Sequence, residues 1–249
     1  MKVSIITATY NSSKTIADTL QSLNTQSYEN IEYIIIDGKS KDNTLDVIKQ
    51  QCSRVSKIIS ESDEGIYDAL NKGIEASTGD IVGFLHSDDL FAYSDAVKDI
   101  VAQMNESVSD AVYGDLQYVS KDNTNKVVRL WKSGSYSRSK LKNGWMPPHP
   151  TFYMRRELYN KFGLFDLNFK IAADYDSLLR YLWSNNIKIT YLPKVVIKMR
   201  VGGESNRSFK NIIQKTREDV IALKNNNIFW PIALFIKNIS KIKQFVIKN

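Results

Sequence analysis

The sequence predicts an α/β fold with an open, mostly parallel sheet flanked by helices, and three observations predict it. Short apolar runs, Val3 to Thr9 (VSIITAT), Ile31 to Asp37 (IEYIIID) and Ile81 to Leu85 (IVGFL), recur in the first third of the chain, and continuous runs of that length read as strands buried on both faces. Segments of helical period separate them, which makes βαβ units with right-handed crossovers. Near Leu90 the pattern changes to shorter, mixed elements, so the domain is expected to have two halves, 1–90 and 91–205, followed by a helical tail over 206–249.

Taken in order, Tyr10 to Ser13 turns from the first strand into a helix whose apolar positions are Ile16, Leu20 and Leu23. After the second strand, Gly38 to Thr44 forms a turn in which Asp42 or Asn43 can cap the next helix. Lys57 to Ser60 is a third strand, and Asp63-Glu64-Gly65 opens a helix through Tyr67 to Ile74. Beyond Leu90, Ala111 to Gly114, Leu116 to Ser120 and Val127 to Trp131 read as short strands, with Lys121 to Lys126 as a hairpin connection. Trp145 to Pro150 holds three prolines in six residues, which excludes a helix and predicts an ordered loop. Thr151 to Met154 is strand-like, and helices are expected over Arg155 to Phe162 and Asp174 to Trp183.

The tail is amphipathic. Ser208 can cap a helix with a Phe209, Ile212, Ile213, Thr216, Val220, Leu223 stripe, and a second helix has Pro231 at its first position. Its Ile232, Phe235, Ile236, Ile239, Ile242 and Val246 share one face, while Lys237, Lys241 and Lys248 share another. That is the pattern of a helix lying in a membrane interface; packing of the stripe on the body or on a second subunit, as a homodimer, is the other reading.

At 43% hydrophobic and 24% charged residues, the composition is that of a globular protein and excludes disorder. The single Cys52 excludes an internal disulfide framework and suits a reducing compartment. Residues 198–249 carry 11 basic and 3 acidic side chains, whereas residues 1–197 carry 23 and 24. The net +7 therefore resides in the tail, which predicts an anionic partner there. Few aromatics interleave with those charges, unlike a groove with base-stacking platforms, so nucleic acid is not the expected partner. The longest apolar run, Ile228 to Ile236, is too short to span a bilayer, and no signal peptide follows Met1. The expectation is a cytoplasmic protein, peripheral at the inner face of the membrane.

The chemistry-bearing stretch is Thr78 to Leu90 (TGDIVGFLHSDDL), where a buried strand ends in Asp88 and Asp89. The carboxyl edge of a parallel sheet is where ligands bind, and paired carboxylates there suit a hard divalent cation. Ser-Asp-Asp is also ordinary turn chemistry. No G-x-G-x-x-G follows the first strand, which lowers the expectation of a dinucleotide.

Six stretches in order, VSIITATYN, IIIDGKSKDNT, SDEGIYDALNKGI, TGDIVGFLHSDD, HPTFYMRRELYNKFGLFD and AADYD, resemble family 2 glycosyltransferases of the GT-A fold, of the bacterial type that builds surface polysaccharides such as O-antigen or capsule. The resemblance spans about Lys2 to Ser205. It implies a nucleotide-sugar half and an acceptor half, with Thr7, Thr9 and Tyr10 as walls of a nucleoside pocket. Asp37 resembles the carboxylate that accepts uracil N3–H, although by itself it is equally a turn cap. Asp68 and Lys72 lie on a stretch that the family sets against the nucleotide or donor sugar; four apart, they also suit an exposed ion pair.

By the same resemblance Asp88 meets the ribose and Asp89 holds Mn²⁺ or Mg²⁺ at the diphosphate. His86 stands where the family often has Asp or Asn, which leaves the second ligand open. Asp174 resembles the catalytic base, with a helix N-cap as its bland alternative and Asp176 as rival. His149 and Arg200 are candidates for the acceptor or diphosphate, against a structural hydrogen-bonding role for His149 and a surface loop for Arg200; the glycines after Arg200 suit a closing segment. The implied activity is inverting, metal-dependent, non-processive transfer of a hexose or N-acetylhexosamine from a UDP-sugar to a hydroxyl of a lipid-linked oligosaccharide. Transfer to a polyprenyl phosphate and a non-catalytic sugar-binding protein on the same scaffold are the alternatives.

Overall fold

Alternation along the first strands sorts their side chains between two cores. In β1 (Val3–Thr9), β2 (Ile31–Asp37) and β4 (Ile81–Phe84), Ile6, Ala8, Ile34, Ile36 and Phe84 face one core. Val3, Ile5, Tyr33, Ile35 and Ile81 face the other. Helix α3 (Ile66–Ala76) covers the first face through Ala69, Leu70 and Ile74. Helix α1 (Ile16–Asn24) and helix α4 (Ala96–Ser107) cover the second. A sheet buried on both faces leaves its strand ends as the place for a ligand. The computed structural model describes residues 1–202 and 208–246, with side chains described as far as 239.

The nine strands form one sheet, eight of them in the order β3-β2-β1-β4-β8-β6-β9-β5, with β7 paired antiparallel to β6 off this path. Its further members are β3 (Val55–Ser60), β5 (Leu90–Phe91), β6 (Ala111–Val119), β7 (Val127–Trp131), β8 (Tyr153–Arg155) and β9 (Ile189–Arg200). The strands β1 to β4 pair in parallel, whereas β8 runs antiparallel to both β4 and β6. Gly83 permits that junction, because a Cβ there would lie 2.0 Å from the Tyr153 ring. The remaining helices are α2 (Thr44–Gln51), α5 (Arg138–Leu141), α6 (Arg156–Phe162), α7 (Ala173–Leu179), α8 (Phe209–Asn225) and α9 (Trp230–Val246).

Several expectations change. The two short strands expected from 111 to 120 are one strand, β6, with register shifts at Tyr113 to Leu116. Those shifts are bulges, which bend a strand without ending it. The sequence did not reveal β9, which carries Pro193 between the paired residues Tyr191 and Val195, at a register irregularity where a missing N–H is tolerated. The helix expected from Asp174 to Trp183 begins as α7 and continues as a π turn over Arg180–Ser184.

The tail turns part of its apolar stripe outward and several charged side chains inward. Ser208 caps α8 by accepting Asn211 N–H, but Phe209 is 78% exposed, and Ile212 and Ile213 are also exposed, while Glu218, Asp219, Ala222 and Leu223 are buried. On α9, Ile232, Phe235 and Ile239 face outward, whereas Ala233 and Lys237 face the body. Ile242, Val246 and Lys241 lie beyond the described side chains, and Lys248, Gly203 and Ser205 outside the described residues.

Candidate active site

The parallel register brings the ends of β1, β2 and β4 to one edge, with Thr9 opposite Asp37 and Ile6 opposite Phe84. Thr7 does not line this edge. It is fully buried, and its hydroxyl meets Leu85 O at 2.5 Å and the Tyr33 hydroxyl at 2.9 Å, so it supports the edge from within. Thr9 Oγ1 is buried without a hydrogen bond among the described residues, and Tyr10 is 57% exposed just beyond it. Asp37 is buried and accepts Ser40 N at 3.1 Å and the hydroxyls of Ser40 and Ser60. It caps its own turn, as the bland reading expects. Asn11, in the left-handed region at φ 49°, reaches the same turn through Ser40 Oγ and Lys41 N. Gly38 lets Asp63 approach, since a Cβ would lie 2.4 Å from Asp63 Oδ2.

Asp68 and Lys72 form the i,i+4 ion pair at 3.2 Å, and Lys72 also meets Glu61 at 2.9 Å and Ser62 O at 2.9 Å. The Glu61 contact is the main cause that raises the Lys72 pKa. Neither side chain lines the cleft described below.

Past β4 the chain makes a tight turn, with Asp89 N–H donating to His86 O at 3.0 Å. Thr19 Oγ1 fixes it by donating to Asp89 O at 2.8 Å. Arg200 ends β9 buried rather than on a surface loop; it donates to Asp88 O at 2.7 Å and pairs with the Asp18 carboxylate. Its guanidinium therefore holds the aspartate turn. Asp89 is 1% exposed, and neither of its carboxylate oxygens has a hydrogen bond among the described residues. Burial, and then the charge of Asp88, push its pKa well above the usual range, opposed by the nearby Arg200 main-chain N–H, which falls short of hydrogen-bond geometry, and by the Arg200 charge. A buried polar atom without a partner is costly. Hard cations take carboxylate oxygens, and Mg²⁺ is commonly held by one or two carboxylates with substrate phosphates, so this donor set fits a divalent ion.

Beside the turn lies a cleft of about 560 Å³ lined by residues of both halves and of the tail. Asp174, in the first turn of α7, faces it, whereas Asp176 turns to Arg180 at 3.6 Å. The N-cap of α7 is Ala172, not Asp174. Asp174 Oδ1 accepts Tyr175 N at 2.8 Å and lies 3.3 Å from the Tyr67 hydroxyl. Burial raises its pKa, and the Lys237 charge opposes the rise. Burial raises the pKa of Tyr118, a cleft residue, with the Arg129 charge opposing the rise and those of Asp89 and Asp174 adding to it. His86 and His149 line the cleft with ring centroids 6.3 Å apart. His149 stacks on Phe84 at 5.0 Å, and burial lowers its pKa to about 3, so it is neutral at physiological pH.

The sequence profile of glycosyl transferase family 2 matches residues 4–163. The chain belongs to that family. A Mycobacterium bovis PGL/p-HBAD biosynthesis glycosyltransferase is 31% identical over 209 residues, covering 82% of this chain and 78% of the relative. An uncharacterized glycosyltransferase of Mycobacterium tuberculosis is 34% identical over 181 residues, covering 72% and 68%. The fold is that of Staphylococcus aureus TarS, whose complex with UDP-GlcNAc superposes with TM-score 0.72 at 21% identity, over 100% of this chain and 74% of that one. A Pyrobaculum calidifontis mannosyltransferase in complex with GDP-Man and Mn²⁺ superposes with TM-score 0.65 at 16% identity, over 100% and 76%.

In this glycosyltransferase the family match ends before Asp174, and part of the cleft comes from residues that sequence reasoning missed. Arg129 lies 3.8 Å from the Tyr118 ring centroid. Asp219 and Lys237 form a buried ion pair at 2.9 Å, with the Lys237 ammonium 3.1 Å from the Tyr175 ring centroid. Burial lowers the Lys237 pKa to about 8. One signal was available: Glu218 and Asp219 precede Ala222 and Leu223 by one helical turn, which puts the acidic pair on the buried face.

Proposed function

We propose that this glycosyltransferase transfers a hexose or N-acetylhexosamine from a UDP-sugar, with inversion, to a hydroxyl of a lipid-linked oligosaccharide in bacterial surface polysaccharide synthesis. The observation that carries the reading is Asp89, buried with unclaimed oxygens in the turn that starts at His86, together with Asp174 in the cleft that His86 also lines. The UDP-GlcNAc and GDP-Man complexes of the two structural neighbours support a nucleotide-sugar donor. On this reading Tyr10, Thr9 and Asp37 flank the base, and Asp88 meets the ribose. Asp89, with Asp88 beside it, holds Mn²⁺ or Mg²⁺. When bound, such an ion stabilises the charge that develops on a departing diphosphate. Asp174 takes the acceptor hydroxyl proton as the new bond forms. His149, held neutral against Phe84, shapes the cleft without adding charge.

UDP release from purified protein, measured against UDP-, GDP- and dTDP-sugars with Mn²⁺ or EDTA, tests this reading. Release from one UDP-sugar that EDTA abolishes is the expected result. Release from a GDP-sugar would overturn the nucleotide assignment.

The tail supports a peripheral membrane site. Among the described residues no helix is long and apolar enough to cross a membrane. Phe229, Trp230, Ile232, Phe235 and Ile239 are nonetheless exposed on or beside α9, with Lys224 5.8 Å from the Trp230 ring centroid. An exposed apolar face with basic neighbours suits the boundary of an anionic leaflet, where each lysine adds about 1 kcal/mol. Flotation with phosphatidylglycerol-containing vesicles is expected for the wild type and to fall at least tenfold in Phe229→Glu/Phe235→Glu, with UDP affinity unchanged. A concentration-dependent dimer that those substitutions dissolve, without flotation, would instead assign the face to a second copy.

A further inference from the structure

Glu218 lies on α8, 46 residues after Ala172, yet its side chain is inside the protein. Its Oε1 accepts Lys170 N–H at 3.0 Å, and its Oε2 accepts Ile171 N–H at 2.8 Å and Ala172 N–H at 2.9 Å. Gln214, one turn earlier on α8, donates to Oε1 at 3.0 Å. Three consecutive main-chain donors thus converge on one carboxylate. Charge-assisted bonds of this kind offset the cost of taking a carboxylate out of water.

The opposite side of the same peptide segment is held from the other half of the domain. Tyr67 of α3 donates its hydroxyl to Ile171 O at 2.7 Å, and the same oxygen lies 3.3 Å from Asp174 Oδ1. Residues 170–172 are therefore fixed by their N–H groups to α8 and by a carbonyl to α3. Asp174 follows within one turn, so these anchors set the position of its backbone.

We propose that Glu218 is a positioning residue for Asp174, holding the entry to α7 so that the carboxylate stands at the acceptor side of the cleft. The proposal rests on Asp174 being the base. It makes α8 part of the catalytic architecture, in addition to any surface role of the tail. The cleft needs this outside support because α7 is short and its N-cap, Ala172, has no side-chain oxygen to close its own first turn.

The test is Glu218→Gln, which keeps the side-chain volume but presents an NH₂ group to donors that need an acceptor. With the donor that wild-type protein turns over, kcat for UDP release is expected to fall about 10- to 100-fold, since misplacement by about 1 Å can cost that much. The donor KM should stay within twofold, and amide exchange at 170–172 should speed up. A purely structural role would lower the yield or melting temperature and leave kcat per folded molecule unchanged; that result overturns the proposal. Glu218→Asp, which keeps the charge and shortens the reach, is the second variant if Glu218→Gln does not fold, and wild-type kcat there overturns the proposal equally. Asp174→Asn is measured alongside. An active Asp174→Asn removes the base assignment and this proposal with it, whereas an inactive one beside a fully active Glu218→Gln removes the positioning role alone.

Discussion

Asp89→Ala will fold, will no longer be stabilised by Mn²⁺ with UDP, and will lose EDTA-sensitive UDP release. The wild-type side chain is 1% exposed with both oxygens unpartnered, so the protein carries the cost of a desolvated carboxylate unless a cation occupies it. A ligand that binds only the native state at a hundredfold excess over its Kd adds about 2.7 kcal/mol, or roughly 5–10 °C in the melting temperature of a chain this size. Asp89→Ala should show little of that shift, which gives a readout independent of turnover. Without metal, the sign reverses. The Asp89 pKa is raised in the folded state, so its stabilising contribution is complete below the ordinary carboxylate pKa and is lost as pH rises through the folded value. Metal-free Asp89→Ala should therefore melt at or above the wild type at pH 8, and the difference should shrink on acidification. An Mn²⁺ shift of wild-type size in Asp89→Ala would place the ion elsewhere.

The contrast between Asp89 and Lys72 shows what sequence patterns reveal. The strands that lead to Asp37 and Asp89 were legible because a buried parallel strand must be continuously apolar, and a carboxylate that ends such a run stands out. Lys72 lies on an equally legible helix, and its pairing with Asp68 follows from the helical spacing, but its second partner Glu61 is settled by a loop whose course no periodicity encodes. Thr7 was legible as a strand residue, yet whether its hydroxyl turned outward or to Leu85 O depended on Tyr33, a partner on the neighbouring strand. The tail was legible only in part for a related reason. Its apolar stripe stood out, but a stripe alone does not say whether it meets the body, a second copy or a membrane, nor which charged side chains turn inward. Here Glu218, Asp219 and Lys237 face inward because they find main-chain donors and one another, partners that lie far away in sequence.

Asp174→Asn should lower sugar transfer by roughly 100- to 10,000-fold, the usual worth of a positioned general base, while UDP affinity and the melting temperature hold. Stability is expected to hold because burial raises the Asp174 pKa: the ionised form is disfavoured in the fold, and a neutral isostere relieves that cost at neutral pH. The amide oxygen can still accept Tyr175 N–H in place of Oδ1. What it cannot do is take a proton, and a base works only when ionised. The wild-type rate should therefore fall as pH drops through the raised Asp174 value, with the acid limb above the ordinary aspartate pKa of about 3.9. Lys237 and Lys215 pull that limb down, and Asp219 pushes it up. His149 does not supply the limb in its place, since burial lowers its pKa to about 3. If Asp174→Asn keeps both the rate and the limb, Asp174 is not the base. If it loses the rate, and Asp176→Asn keeps it, the choice between the two carboxylates is made, because Asp176 is turned toward Arg180 and away from the cleft.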